Sequence, residues 1–159
     1  MAVPGPAHRN PKGRLAHRPG ASTLTLVHRH ATAPEAMAVF VGGALGTAAR
    51  LGLDRWLPHE SHELPVSTLI VNLTGSFLLG LLLSTAHRRV GGHVRLALTT
   101  GFLGTFTTLS AVALSTVLLV DGGRTGLAAT YVAVTVLTGL GAAWAGSATG
   151  RRLDRGADA

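Results

Sequence analysis

The 159-residue chain contains no cysteine. A disulfide framework and a thiolate metal site are therefore excluded. Charge is also scarce. Only 13% of residues are Asp, Glu, Lys or Arg, against roughly 25% in a soluble domain. No charged residue lies between Arg95 and Asp121. No Asp or Glu falls inside any of four long apolar runs, and the charges gather in the gaps between them. That segregation reads as an integral membrane protein, not a soluble core. The missing intramembrane carboxylates argue against proton-coupled carriers and cation exporters, which usually need one. The formal net charge of +7 does not signal nucleic-acid binding. The basic residues flank apolar runs and have few aromatics among them.

What the chain does have centres on residues 101–110, GFLGTFTTLS. This stretch sits within the apolar run 96–120, whose 25 residues are enough to cross a bilayer as a helix. Its middle holds Gly101 and Gly104 and four hydroxyl residues, Thr105, Thr107, Thr108 and Ser110. Glycine and β-branched threonine weaken a helix. One reading is a spanning helix interrupted at its midpoint, allowed where protein or a polar pathway satisfies the freed backbone groups. The other is a continuous span with small residues at a helix–helix contact.

The other runs give spans over about 37–53, 64–86 and 126–148. Residues 1–36 are expected to form a disordered cytoplasmic tail, 37–148 a four-helix transmembrane domain, and 149–159 a second cytoplasmic tail. Met37, immediately before the first apolar run, also suits a start. His28 and His30, and the loop residues His59, Glu60, His62 and Glu63, read as solvated positions and not as metal ligands. Gly42 and Gly46 stand at the spacing that lets another helix approach closely. Arg50, near the far end of span one, is placed either to snorkel to water or to act as an intramembrane cation beside an anion path. In span two Thr68, Asn72 and Ser76 share one helix face at i, i+4 and i+8. In span four Tyr131, Thr135 and Gly139 repeat that spacing.

Four spans put both termini on one side. Eleven Lys/Arg lie on that side (five in the N-terminal tail, three in the 87–95 loop, three in the C-terminal tail), against Arg55 and Arg124 on the other. The positive-inside rule then places both termini in the cytoplasm of a multi-pass cell-membrane protein. The polar groups left within the spans are neutral donors. Such groups can replace the water shell of a small anion without trapping it, as conduction requires. Carbonyls freed at an interruption could instead coordinate a hard cation.

Three motifs, taken together, resemble the Fluc family of fluoride channels, also called CrcB. GGALGTAAR at 42–50 resembles its first-span motif. STLIVNLTGSFLLG at 67–80 resembles the second, and TGFLGTFTTLS at 100–110 the broken third helix. The resemblance covers residues 38–148. It implies an all-α, four-helix membrane protein with a broken third transmembrane helix, assembled as an antiparallel dimer with two pores. It also implies a central structural Na+ held by backbone carbonyls, here those of Gly104 and Thr107. The candidate fluoride path comprises Asn72, Ser76, Thr108, Ser110, Tyr131 and Thr135, with Arg50 as an anion-attracting group. No residue is assigned a catalytic role.

The departures are specific. Two phenylalanines of the family touch fluoride through their ring edges, the positive part of an aromatic ring. Here those positions hold Leu109 and Val112, and Phe106 lies off the pattern. The third polar-track position is Gly139, and an acid that often follows is Ser115. The chain thus looks like the degenerate member of a heterodimeric pair, passively exporting fluoride. Two alternatives stand beside this: a non-conducting partner subunit, and a small four-span multidrug transporter.

Overall fold

The computed structural model describes residues 31–58, 63–89 and 91–156. Residues 1–30 of the tail expected over 1–36, the loop residues His59, Glu60 and His62, and residues 157–159 lie outside them. Among the described residues every regular element is helical.

Helix α1, Ala33–Trp56, opens four residues ahead of Met37. The reason is polar, not apolar. The Thr32 backbone N–H donates to Glu35 Oε2 at 2.9 Å, and the Thr32 hydroxyl reaches the same oxygen at 3.0 Å. Glu35 thereby ties down the chain just ahead of the helix, as the third-position acid does in a capping box. Pro34 fits a first turn, whose N–H needs no intrahelical partner. The helix also runs three residues past the expected end, so Asp54 and Arg55 belong to its last turn. Helix α2, Val66–Arg89, follows the buried Pro65.

The third span has several parts. Helix α3 covers Gly92–Leu96 and is followed by a π-helical stretch, Ala97–Leu103. Wide turns of this kind are often found at functional sites. A single turn, α4, covers Gly104–Phe106. Thr107 (φ −75°, ψ 155°) and Thr108 (φ −151°, ψ 117°) then take extended backbone. Helix α5, Leu109–Asp121, resumes after them. It closes on Gly122-Gly123, where Gly123 has φ +72° and the Arg124 N–H returns to the Leu119 carbonyl at 2.8 Å. Glycine adopts this left-handed stop without the penalty a Cβ brings. Helix α6, Thr125–Arg155, runs 31 residues unbroken, about 46 Å at the standard rise.

Among the described residues four segments, of 24, 20, 30 and 31 residues, are long and apolar enough to cross a membrane. Helix α2 packs along α6, α1 packs along the π-helical stretch and α4, and α5 packs on α6. Lipid tails give apolar helices no reason to prefer each other, so close van der Waals packing must hold them together. Glycine supplies it at two seams. A Cβ on Gly42 or Gly46 would strike the carbonyls of Ala97 or Phe102. One on Gly80 or Gly146 would strike those of Ala143 or Phe77. Val112, Leu119, Ala128 and Tyr131 form a small core between α5 and α6. Phe40, Leu109, Leu137, Leu140 and Trp144 are strongly exposed, an arrangement suited to a lipid solvent and not to water.

Candidate functional site

The site grows from the two extended residues between α4 and α5. A helix end leaves carbonyls without partners, and a helix start leaves N–H groups. Thr107 stays tied to the turn before it. Its N–H and its hydroxyl both donate to the Leu103 carbonyl, at 3.1 and 2.9 Å. Thr108 caps α5 by accepting the Ala111 N–H on Oγ1 at 3.1 Å, and the same oxygen lies 3.1 Å from Ser110 Oγ. The Thr108 backbone is held from across the bundle. Its N–H donates to Asn72 Oδ1 at 2.8 Å, and its carbonyl accepts from Asn72 Nδ2 at 3.1 Å.

Three cavities meet at this point. The first, about 450 Å³, is lined on its polar side by Asn72, Ser76, Thr107, Thr108 and Thr135. Its apolar wall includes Leu109, Val112, Val136 and Leu140, and none of its lining residues is charged. A second, about 180 Å³, brings Gly104 and Thr107 together with Ser76. A third, about 70 Å³, lies behind Thr108 and is lined by Arg50, Asp54 and Thr68 among others. Thr108 borders both the first and the third. An apolar groove of about 610 Å³ on α1 holds none of the candidate residues.

The expected residues therefore separate. Asn72, Ser76, Thr108 and Thr135 gather around the 450 Å³ cavity. Thr68, on the same face of α2, serves the Arg50 chamber instead. The Arg50 Nε is buried without a hydrogen-bond partner. Ser110 is exposed and does not line the cavity, although its hydroxyl touches that of Thr108. Tyr131 does not line it either. It is 2% exposed within the α5–α6 core, and its hydroxyl has no hydrogen-bond partner. It lies one turn before Thr135, where α5 covers α6.

Leu109 and Val112 line the cavity at the positions where the resemblance puts phenylalanines. Phe106 turns elsewhere and stacks on Phe102, with ring centroids 5.5 Å apart. Two polar features were not singled out from the sequence. The Thr105 hydroxyl donates to the Gly43 carbonyl of α1 at 2.8 Å. Ser67 is fully buried, and its Oγ has no partner. Thr105 stands in the sequence only as one of four hydroxyls of the third span, and nothing in the spacing marks its contact with α1 or marks Ser67.

Gly104 and Thr107 offer carbonyl oxygens, the hard donors that an alkali cation accepts. The Thr107 hydroxyl donates its proton to the Leu103 carbonyl.

Residues 37–147 match the model of the family described as CrcB-like protein, Camphor Resistance (CrcB). The chain is 44% identical over 106 residues to "Fluoride-specific ion channel FluC 2" of Moorella thermoacetica, covering 66% of this chain and 87% of that protein. It is 40% identical over 118 residues to "Fluoride-specific ion channel FluC" of Agrobacterium fabrum, covering 72% and 94%. It is 38% identical over 113 residues to "Fluoride-specific ion channel FluC 1" of Geobacillus kaustophilus, covering 71% and 95%. Four membrane-capable helices, an uncharged cavity at an interrupted third span and this match over most of the chain agree: the chain belongs to the CrcB family.

Proposed function

We propose that the chain is one subunit of a fluoride channel that lets fluoride leave the cytoplasm passively across the cell membrane. One observation carries this. Asn72, Ser76 and Thr108 bring neutral hydrogen-bonding groups to one cavity whose lining carries no charge, beside Thr135, whose hydroxyl proton is given to the Tyr131 carbonyl. A small, strongly hydrated anion needs donors that replace its water. A full positive charge beside it would hold it too long for conduction. Arg50 stands one layer back, behind Thr108, in a chamber that Asp54 also lines, and does not touch the cavity itself. Ser110 and Tyr131 extend this path only through Thr108 and Thr135. The Gly104 and Thr107 carbonyls would hold a structural sodium, which would supply a fixed positive charge beside the path. Exchange of sodium for a large organic cation is expected to weaken the dimer, read by size-exclusion chromatography. An unchanged dimer after long sodium depletion would count against the assignment.

The partner is a second chain of the same family, inserted in the opposite orientation. Eleven Lys/Arg against two favour one orientation of this chain, with termini in the cytoplasm. An antiparallel homodimer would need the sequence to insert both ways. Leu109 and Val112 also leave its cavity wall without ring edges. A partner with inverse charge bias and the two phenylalanines supplies what is missing. The numbered names among the relatives, FluC 1 and FluC 2, are consistent with paired chains. The same aliphatic wall favours a second reading, in which this chain only assembles its partner and its own cavity does not conduct.

The test is to express the chain alone and with a phenylalanine-complete relative, mapping the termini with membrane-impermeant labels and measuring fluoride efflux from liposomes. Labelling on one side, with flux only from the pair, is expected. Labelling on both sides together with robust flux from this chain alone would sink the heterodimer.

A further inference from the structure

We infer that Asn72 is a positioning residue for the Thr108 peptide. Its carboxamide holds the third span in its interrupted form and leaves one N–H for the cavity. The geometry is the reason. In extended backbone the N–H and C=O of one residue point to the same side. In an α-helix they point in opposite directions along the axis. Thr108, at φ −151° and ψ 117°, presents both groups together. Asn72 meets both at once, accepting at 2.8 Å and donating at 3.1 Å. A continuous helix through Thr108 could not make this pair of bonds. Asn72 therefore binds one conformation of the third span and not the other, and only such differential binding can shift an equilibrium.

The inventory of the side chain sets what remains. A carboxamide has one acceptor oxygen and two N–H donors. The oxygen and one N–H are engaged by Thr108. The second N–H is not engaged by Thr108, and the Asn72 side chain lines the 450 Å³ cavity. That last step rests on the fluoride-channel reading; the hold on Thr108 does not.

Two variants separate the parts. Asn72→Leu keeps the approximate size and loses every hydrogen bond. Asn72→Asp keeps an acceptor for the Thr108 N–H and loses both donors. The full chain, labelled with 15N-threonine and held in lipid nanodiscs, reports amide hydrogen exchange at Thr108. A residue that only lined a path would leave this exchange unchanged. Exchange is expected to be slowest in the parent, faster in Asn72→Asp, and about tenfold or more faster in Asn72→Leu, the scale of one lost hydrogen bond or slightly more. Fluoride efflux, measured with the partner chain present, is expected to fall at least tenfold in both variants. Thr108 exchange equal in the parent and Asn72→Leu would overturn the positioning role. Parent-like efflux from Asn72→Asp, with exchange ordered as expected, would overturn the remaining N–H and leave the hold on Thr108 standing.

Discussion

Helix α6 and the third span contain the same kinds of residue that weaken a helix, yet only one is interrupted. Helix α6 carries Thr130, Thr135, Thr138 and Thr149 with Gly139, Gly141, Gly146 and Gly150, and it still runs from Thr125 to Arg155. Its threonines turn back on their own helix. Thr130 donates to the Gly126 carbonyl, Thr135 to Tyr131, Thr138 to Val134 and Thr149 to Ala145, at 2.6–2.9 Å. The third span begins in the same manner, with Thr99 donating to Arg95. It then departs. Thr105 still lies within 3.1 Å of the Gly101 carbonyl of its own turn, but its shortest contact, at 2.8 Å, is the Gly43 carbonyl of α1, and the Thr108 peptide pairs with Asn72 of α2. Low helix propensity is therefore not what separates the two. At membrane depth a freed peptide group needs a protein partner, and the interruption stands where a neighbouring helix provides one.

Six substitutions break or sharpen that contrast. The largest effect is expected at the seams both regions share. Gly80→Leu on α2, or Gly101→Leu in the π-helical stretch, forces a side chain into backbone; the Val39 carbonyl would lie only 2.6 Å from a Cβ on Gly101. Overpacking of this kind costs about 3 kcal/mol or more when the obstacle is backbone. Loss of the monodisperse peak in detergent would report it, and a parent-like melting curve would contradict it.

Asn72→Leu comes next, removing two bonds worth about 1 kcal/mol each. A thermal shift should show a loss near 2 kcal/mol, whereas no change would return the interruption to propensity alone. Thr105→Val and Thr138→Val form a matched pair. The first loses a bond to another helix, worth about 0.6–1.7 kcal/mol in membranes. The second loses only a bond within α6 and should be neutral. Equal effects would erase the distinction between the two regions. The smallest change is Gly141→Ala, where a Cβ meets nothing within 4 Å. It should stabilise α6 by up to about 1 kcal/mol, the propensity difference between the two residues.

Much of this was legible in the sequence. The segregation of charge gave four spans and an all-helical architecture, and the motifs gave the family. The stripe Thr68, Asn72 and Ser76 was visible as one face. Spacing cannot say what stands opposite a face, so the split of that stripe between two chambers was not visible. The sequence likewise shows that an Asn at mid-span needs partners, but not that its partner is a peptide group 36 residues away. Tyr131 and Thr135 share a helical spacing, but α5 covers one and not the other. The start of α1 was placed late because an apolar run marks where lipid begins, whereas Thr32 and Glu35 mark where the backbone hydrogen bonds begin.

We propose that fluoride passes selectively through the cavity at the interrupted span. The most direct measurement is ion efflux from liposomes that hold this chain with its partner. Half are loaded with fluoride and half with chloride, each followed by an ion-selective electrode. Fluoride should leave rapidly while chloride stays, since a short series of neutral donors suits the smaller and more strongly hydrogen-bonding anion. Chloride leaving at the same rate, or fluoride retained by every pairing tried, would rule out a fluoride path at this cavity.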